Sequence, residues 1–132
     1  MRRSKRRAAV TVEMAITAPI LFLMLFAALE FCGMNNMRHS VDNAAYEAAR
    51  RGIVPGATMA DVVGEANTIM GYLGARDVTV TVSPDPFDDN TRELVVTVSI
   101  PIAQNGWVAP IFFRGTDRLV GECRMNREDY SL

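Results

Sequence analysis

Glu13 is the residue with the clearest capacity for chemistry, because it is the only charged side chain in a long apolar run. The run covers residues 8–29 and reads AAVTVEMAITAPILFLMLFAAL. A carboxylate at the centre of a lipid bilayer costs on the order of 3 kcal/mol, and less near the surface. A carboxylate at this position therefore indicates a functional role that involves a partner. The alternative is that its side chain only reaches back to the cytoplasmic surface.

Pro19 is the second unusual residue of the run. It has no backbone N–H, so the carbonyl of Ala15 loses its helical donor. This predicts a kink or local loosening of the helix at Pro19. The alternative is simple tolerance, because membrane helices carry proline more often than soluble ones.

The other reactive side chains form no recognisable catalytic set. His39 is the only histidine, and Cys32 and Cys123 lie far apart with no CxxC motif. GxSxG and phosphate-loop motifs are also absent, so we expect no enzyme, no cofactor and no metal site. The acidic residues 85–90 lack the spacing of an EF-hand and favour a solvated turn over a calcium site. The two thiols favour free cysteines, although an oxidising compartment would permit a disulfide.

The charge distribution sets the orientation of the apolar run. Five of the fourteen basic residues lie among the first seven positions, whereas all fifteen acidic residues follow from Glu13 onward. From Ala9 the chain would carry a net charge of −6, from nine basic and fifteen acidic residues. An acidic body argues against nucleic acid as a partner. The positive-inside rule places the basic end in the cytoplasm and the rest of the chain outside.

The length of the run favours a membrane span. Twenty-two helical residues rise about 33 Å, enough to cross a hydrocarbon core of about 30 Å. A cleaved secretory signal would have a shorter core and a small-x-small site after it, and here Glu30 and Phe31 follow. A buried helix of a soluble protein would not explain the preceding basic cluster.

The N-terminal pattern resembles type IV pilins and, more closely, the TadE-like family of pseudopilins in the tight-adherence (Tad/Flp) pilus systems. The resemblance is carried by residues 6–15 (RRAAVTVEMA), Pro19, Glu30, Phe31 and Gly33, and by the alanine-rich residues 42–50 (DNAAYEAAR). It covers about the first fifty residues. The family usually has glycine where this chain has Ala8, and phenylalanine where it has Met14.

The resemblance implies a processing step and a set of partners. A prepilin peptidase would cut between Ala8 and Ala9, which makes Glu13 the fifth residue of the mature chain. Glu13 would then pair with the N-terminal amine of a neighbouring subunit. The implied partners are this peptidase, the inner-membrane Tad assembly platform, other pilins or pseudopilins, and membrane lipid.

The chain after the run predicts a small α+β domain. Helical spacing continues from Met34 to a stop at Gly52, which gives one long spine. A second helix begins at a Thr58–Asp61 capping box and ends at Gly74. Its predicted buried stripe consists of Val62, Ala66, Ile69, Met70 and Leu73.

Three segments then alternate with a period of two and predict a three-stranded antiparallel sheet packed on the spine, as in pilins. Their inward residues are predicted to be Val78, Val80 and Val82, then Leu94, Val96, Val98 and Ile100, then Leu119, Gly121, Cys123 and Met125. The apolar residues 107–113 either cover the sheet or form a subunit contact, and covering is favoured.

The predicted organisation is a basic leader (1–8), a transmembrane helix (9–33) and an exported pilin-like domain (34–132). The predicted function is that of a minor pilin or pseudopilin in the inner membrane, which assembles, primes or anchors an adhesive pilus. The alternative is a permanently anchored single-pass protein whose external domain binds another protein.

Overall fold

The computed structural model describes residues 2–88, 91–106 and 117–126. The elements are α1 (Arg2–Gly52), α2 (Met59–Tyr72), β1 (Thr79–Ser83), β2 (Glu93–Pro101), α3 (Ile102–Asn105) and β3 (Arg118–Asn126). The predicted α+β fold, with one long helix, a second helix and a three-stranded antiparallel sheet, is confirmed. The division into leader, span and exported domain stays a prediction.

Helix α1 is the spine of the molecule. Its 51 residues correspond to a length of about 75 Å. Its second half packs on α2 and on the sheet through a row of fully buried small residues, Ala44, Ala45, Ala48 and Ala49. Because alanine adds little volume, the helix backbone lies close to the strands. The predicted continuation of the helix to Gly52 is confirmed.

Helix α2 begins at the predicted capping box. The Thr58 hydroxyl accepts a hydrogen bond from Asp61 N (3.3 Å), and Asp61 Oδ2 accepts one from Thr58 N (2.9 Å). The helix ends before Gly74, whose φ of +64° is the left-handed conformation that glycine adopts readily. The prediction was wrong for Leu73, which is 47% exposed because it lies in the turn after the last helical residue.

The sheet has the order β1-β2-β3, with both pairs antiparallel. The central strand alternates as predicted, with its inward residues, Leu94, Val96, Val98 and Ile100, buried against the helices. The neighbours of Val96 in the register are Val82 and Cys123. Val82, Gly121 and Cys123 lie on the same, inner face, so the predicted facing of all three strands is confirmed.

Two glycines allow the layers to approach closely. A Cβ on Gly121 would lie 2.9 Å from the backbone of α1 at Asp42 N and Val41 C. A Cβ on Gly52 would contact the buried side chains of Leu94 and Val62. These positions fix the distance from the spine to β3 and to the start of β2.

The short helix α3 was not predicted. The Asn105 side chain holds it against the turn before β1, since Asn105 Oδ1 accepts from Arg76 N (2.7 Å) and Asn105 Nδ2 donates to Arg76 O (3.0 Å). The predicted cover at residues 107–113 lies outside the described residues.

Candidate functional site

The first half of α1 projects away from the domain. Its large apolar residues between positions 10 and 31 are 41–63% exposed, and its most apolar window has a mean hydropathy of 2.2 with no residue buried inside the molecule. It is the one helix in the described part of the chain that is long and apolar enough to cross a membrane. A core helix of a soluble protein would be buried, so the structure is consistent with single-pass membrane anchoring.

Glu13 lies on this projecting part of the helix. Its carboxylate is exposed and has no hydrogen-bond or ion-pair partner among the described residues. Within the described part of the chain, no side chain neutralises the Glu13 carboxylate.

The other polar side chains near Glu13 are already satisfied. Thr11 Oγ1 donates to Arg7 O (2.9 Å) and Thr17 Oγ1 donates to Glu13 O (2.9 Å). Threonine hydroxyls of membrane helices are commonly satisfied by the carbonyl four residues earlier. Among the polar side chains of the apolar run, Glu13 is therefore the one without a partner in the described part of the chain.

Ala8, Ala9 and Glu13 lie on the same continuous helix. All three are exposed, and Ala9 and Glu13 are four residues apart, so they share one helix face. Helix α1 also runs through Pro19 without interruption. The cleavage, pairing and kink assigned to these residues stay predictions.

The two cysteines are free and lie in different surroundings. Cys32 is exposed at the C-terminal end of the apolar segment, while Cys123 is half-buried on the inner face of β3. Burial raises the pKa of the Cys123 thiol. The inward orientation predicted for Cys123 is confirmed.

Arg118 is a residue that sequence reasoning missed. Its guanidinium donates to Thr79 Oγ1 (2.8 Å), Asp77 O (3.1 Å) and Ser99 O (3.2 Å), which ties β3 to both other strands. Asp77 has a left-handed φ of 56°, and its carboxylate also pairs with Arg118 (3.4 Å). These partners lie up to 41 positions away, so no local pattern signals the cluster.

The fold and this site define a class: a small α+β domain on a long helix whose apolar, exposed N-terminal half is suited to a membrane. Residues 8–50 match the family model described as TadE-like protein. The resemblance seen in the sequence is confirmed over this segment, which relates the chain to the Tad pilus system and to pilus-related protein partners. No curated protein and no solved structure matches the chain.

Proposed function

We propose that the chain is a minor pilin or pseudopilin that assembles, primes or anchors a Tad/Flp-type adhesive pilus, and that it is not an enzyme. The observation that carries the proposal is the unpartnered carboxylate of Glu13 on an exposed apolar helix that matches the TadE-like family from residue 8. The leader is cytoplasmic, the helix crosses the inner membrane, and the domain lies outside. A prepilin peptidase removes the leader between Ala8 and Ala9.

Cleavage supplies the missing partner of Glu13. It creates an α-amino group at Ala9, and this cation is as costly to bury in a membrane as the carboxylate. Pairing the amine of one subunit with Glu13 of a neighbour neutralises both charges and fixes the axial register of the two helices. The assembly platform and the other pilins would bind the subunit in this state.

The processing step is tested by N-terminal mass spectrometry of the membrane-extracted protein. A chain that starts at Ala9 supports the proposal. Replacing Ala8 with tryptophan should block cleavage, because the peptidase pocket accepts a small residue. Retention of the leader in the wild-type chain favours a permanently anchored protein with an external binding domain. Unchanged processing of Ala8→Trp would refute the cleavage site.

The pairing step is tested by Glu13→Gln. The variant should insert in the membrane and be processed, but it should fail to support a pilus. Thr17→Val is the matched control, because among the described residues the Thr17 hydroxyl bonds only to carbonyls of its own helix. Normal piliation of the Glu13→Gln variant would refute the pairing model.

The composition allows a direct test of the same ion pair. Lys5 is the only lysine, so a chain cleaved after Ala8 has the Ala9 α-amine as its one primary amine. A membrane-permeant carbodiimide should therefore join Glu13 to the N-terminal residue of a neighbouring subunit. A mixture of isotopically light and heavy chains separates this product from a bond within one chain. The product should be absent in Glu13→Gln.

A further inference from the structure

The last residue of α2 and the turn that follows it, residues 72–76, lie at the end of the domain nearest the apolar helix. Helix α2 runs antiparallel to α1, since Val62 in its first half lies beside Gly52. At the other end, a cleft of about 410 Å³ is lined by residues of the turn and by Asn36 and Ser40 of α1. We call residues 72–76 the membrane-proximal turn.

The height of this turn follows from the rise of α1. Asn36 and Ser40 lie about 5 and 10 Å beyond Gly33, the last residue of the predicted span. The headgroup layer extends about 5–8 Å beyond the hydrocarbon core. The membrane-proximal turn therefore lies partly within the lipid headgroups of the outer surface and partly just beyond them.

The exposed side chains of the membrane-proximal turn are of types that favour the membrane–water interface. Tyr72 is 85% exposed, and Leu73 beside it is also exposed. Among the described residues outside the apolar half of α1, they are the only adjacent pair of exposed large hydrophobic residues. Tyrosine is enriched where the bilayer meets water, because its ring is apolar and its hydroxyl is polar.

Arg76 adds a positive charge to the same turn. Its backbone N–H donates to Asn105 Oδ1 and its carbonyl accepts from Asn105 Nδ2, while its exposed guanidinium has no partner among the described residues. The neighbouring Asp77 carboxylate is paired with Arg118, so it does not neutralise Arg76. A fixed backbone with a free guanidinium is suited to binding phosphate.

We propose that the membrane-proximal turn binds phospholipid headgroups on the outer surface of the membrane that α1 spans. Tyr72 and Leu73 enter the interface, and Arg76 binds lipid phosphate. The contact holds the domain against the membrane before the subunit is assembled. The inference rests on the membrane anchoring in the proposed function and does not depend on cleavage or on the Glu13 pair.

Tryptophan fluorescence of the full-length chain in vesicles with brominated lipids tests the contact. Tyr72→Trp places the probe in the turn, and Phe22→Trp places it inside the span. Tyr46→Trp is the matched control, because Tyr46 is also exposed but lies about 20 Å beyond Gly33. The signal of Trp107, common to all variants, is subtracted with the wild-type chain.

We expect bromine to quench Tyr72→Trp several-fold more than Tyr46→Trp. Phosphatidylglycerol should increase this quenching, and Arg76→Gln should abolish the increase. Equal, weak quenching at positions 72 and 46 with strong quenching at 22 would overturn the headgroup contact alone. Weak quenching at 22 as well would overturn the membrane anchor, and the contact with it. No response to phosphatidylglycerol would refute phosphate binding by Arg76.

Discussion

Gly121→Ala should destabilise the domain by forcing the spine away from β3. The added Cβ would lie 2.9 Å from Asp42 N and Val41 C, whereas ordinary van der Waals contact begins near 3.4 Å. Both are backbone atoms, so no side-chain rotation relieves the overlap and the two elements must separate by about half an ångström. Overpacking of this kind typically costs about 1–3 kcal/mol.

The matched control is Gly64→Ala on α2. A Cβ there meets nothing within 4 Å, and replacing glycine in a helix interior by alanine stabilises it by up to about 1 kcal/mol. The two variants therefore make the same chemical change with opposite expected signs. The expected loss of stability at Gly121 comes from its contact with α1, and the expected gain at Gly64 comes from the higher helix propensity of alanine.

Thermal unfolding of the full chain in detergent micelles, followed by circular dichroism, measures both effects. Each kcal/mol shifts Tm by about 4–8 °C in a domain of this size. Gly121→Ala should lower Tm and Gly64→Ala should raise it. If Gly121→Ala unfolds at or above the wild-type temperature, the close approach of β3 to α1 is wrong.

Three further predictions concern α2 and β3. Thr58→Ala should lower the free energy of unfolding by about 1 kcal/mol, because it removes the hydroxyl of the capping box; an unchanged urea midpoint would contradict this. Hydrogen bonds from Thr58, with the charge of Arg51, lower the pKa of Asp61. The advantage of the wild-type chain over Asp61→Asn should therefore be present above about pH 4 and be lost as the pH falls through the lower folded-state pKa, and urea midpoints across this range test it. Because burial raises the pKa of Cys123, a Cys32→Ser chain should react more slowly with maleimide when folded than in urea. Equal rates would show that folding does not shield the Cys123 thiol.

The fold could be predicted where local patterns determine it. Alternation around Val96 predicted the inner face of the sheet, and the Thr58–Asp61 spacing predicted the start of α2. The prediction was wrong at Leu73, because the helical period was continued past the last residue that forms helical hydrogen bonds. The role of Gly121 could not be predicted, since a lone glycine in a strand does not show which backbone it will approach.

Residue type and spacing singled out Glu13 and Pro19, and the resemblance to TadE-like proteins implied Ala8 and Ala9 as the cleavage site. The structure adds the surroundings of these residues. The structure shows that Glu13 is exposed and that the hydroxyls of Thr11 and Thr17 are satisfied within the helix. The predicted partner of Glu13 belongs to another subunit, so a single chain contains only one half of the ion pair.

The two halves of α1 are built for different environments. In the domain, α1 contributes buried alanines to a core that contains no buried polar or charged residue among the described positions. In the projecting half, large apolar side chains are exposed and one carboxylate has no partner. Water suits the half in the domain and opposes the projecting half, whereas a membrane with a neighbouring amine would account for both the apolar surface and Glu13. An uncleaved chain would still span the membrane but would have no α-amino group at Ala9. The phenotype of Glu13→Gln should therefore match that of a chain whose leader is not removed.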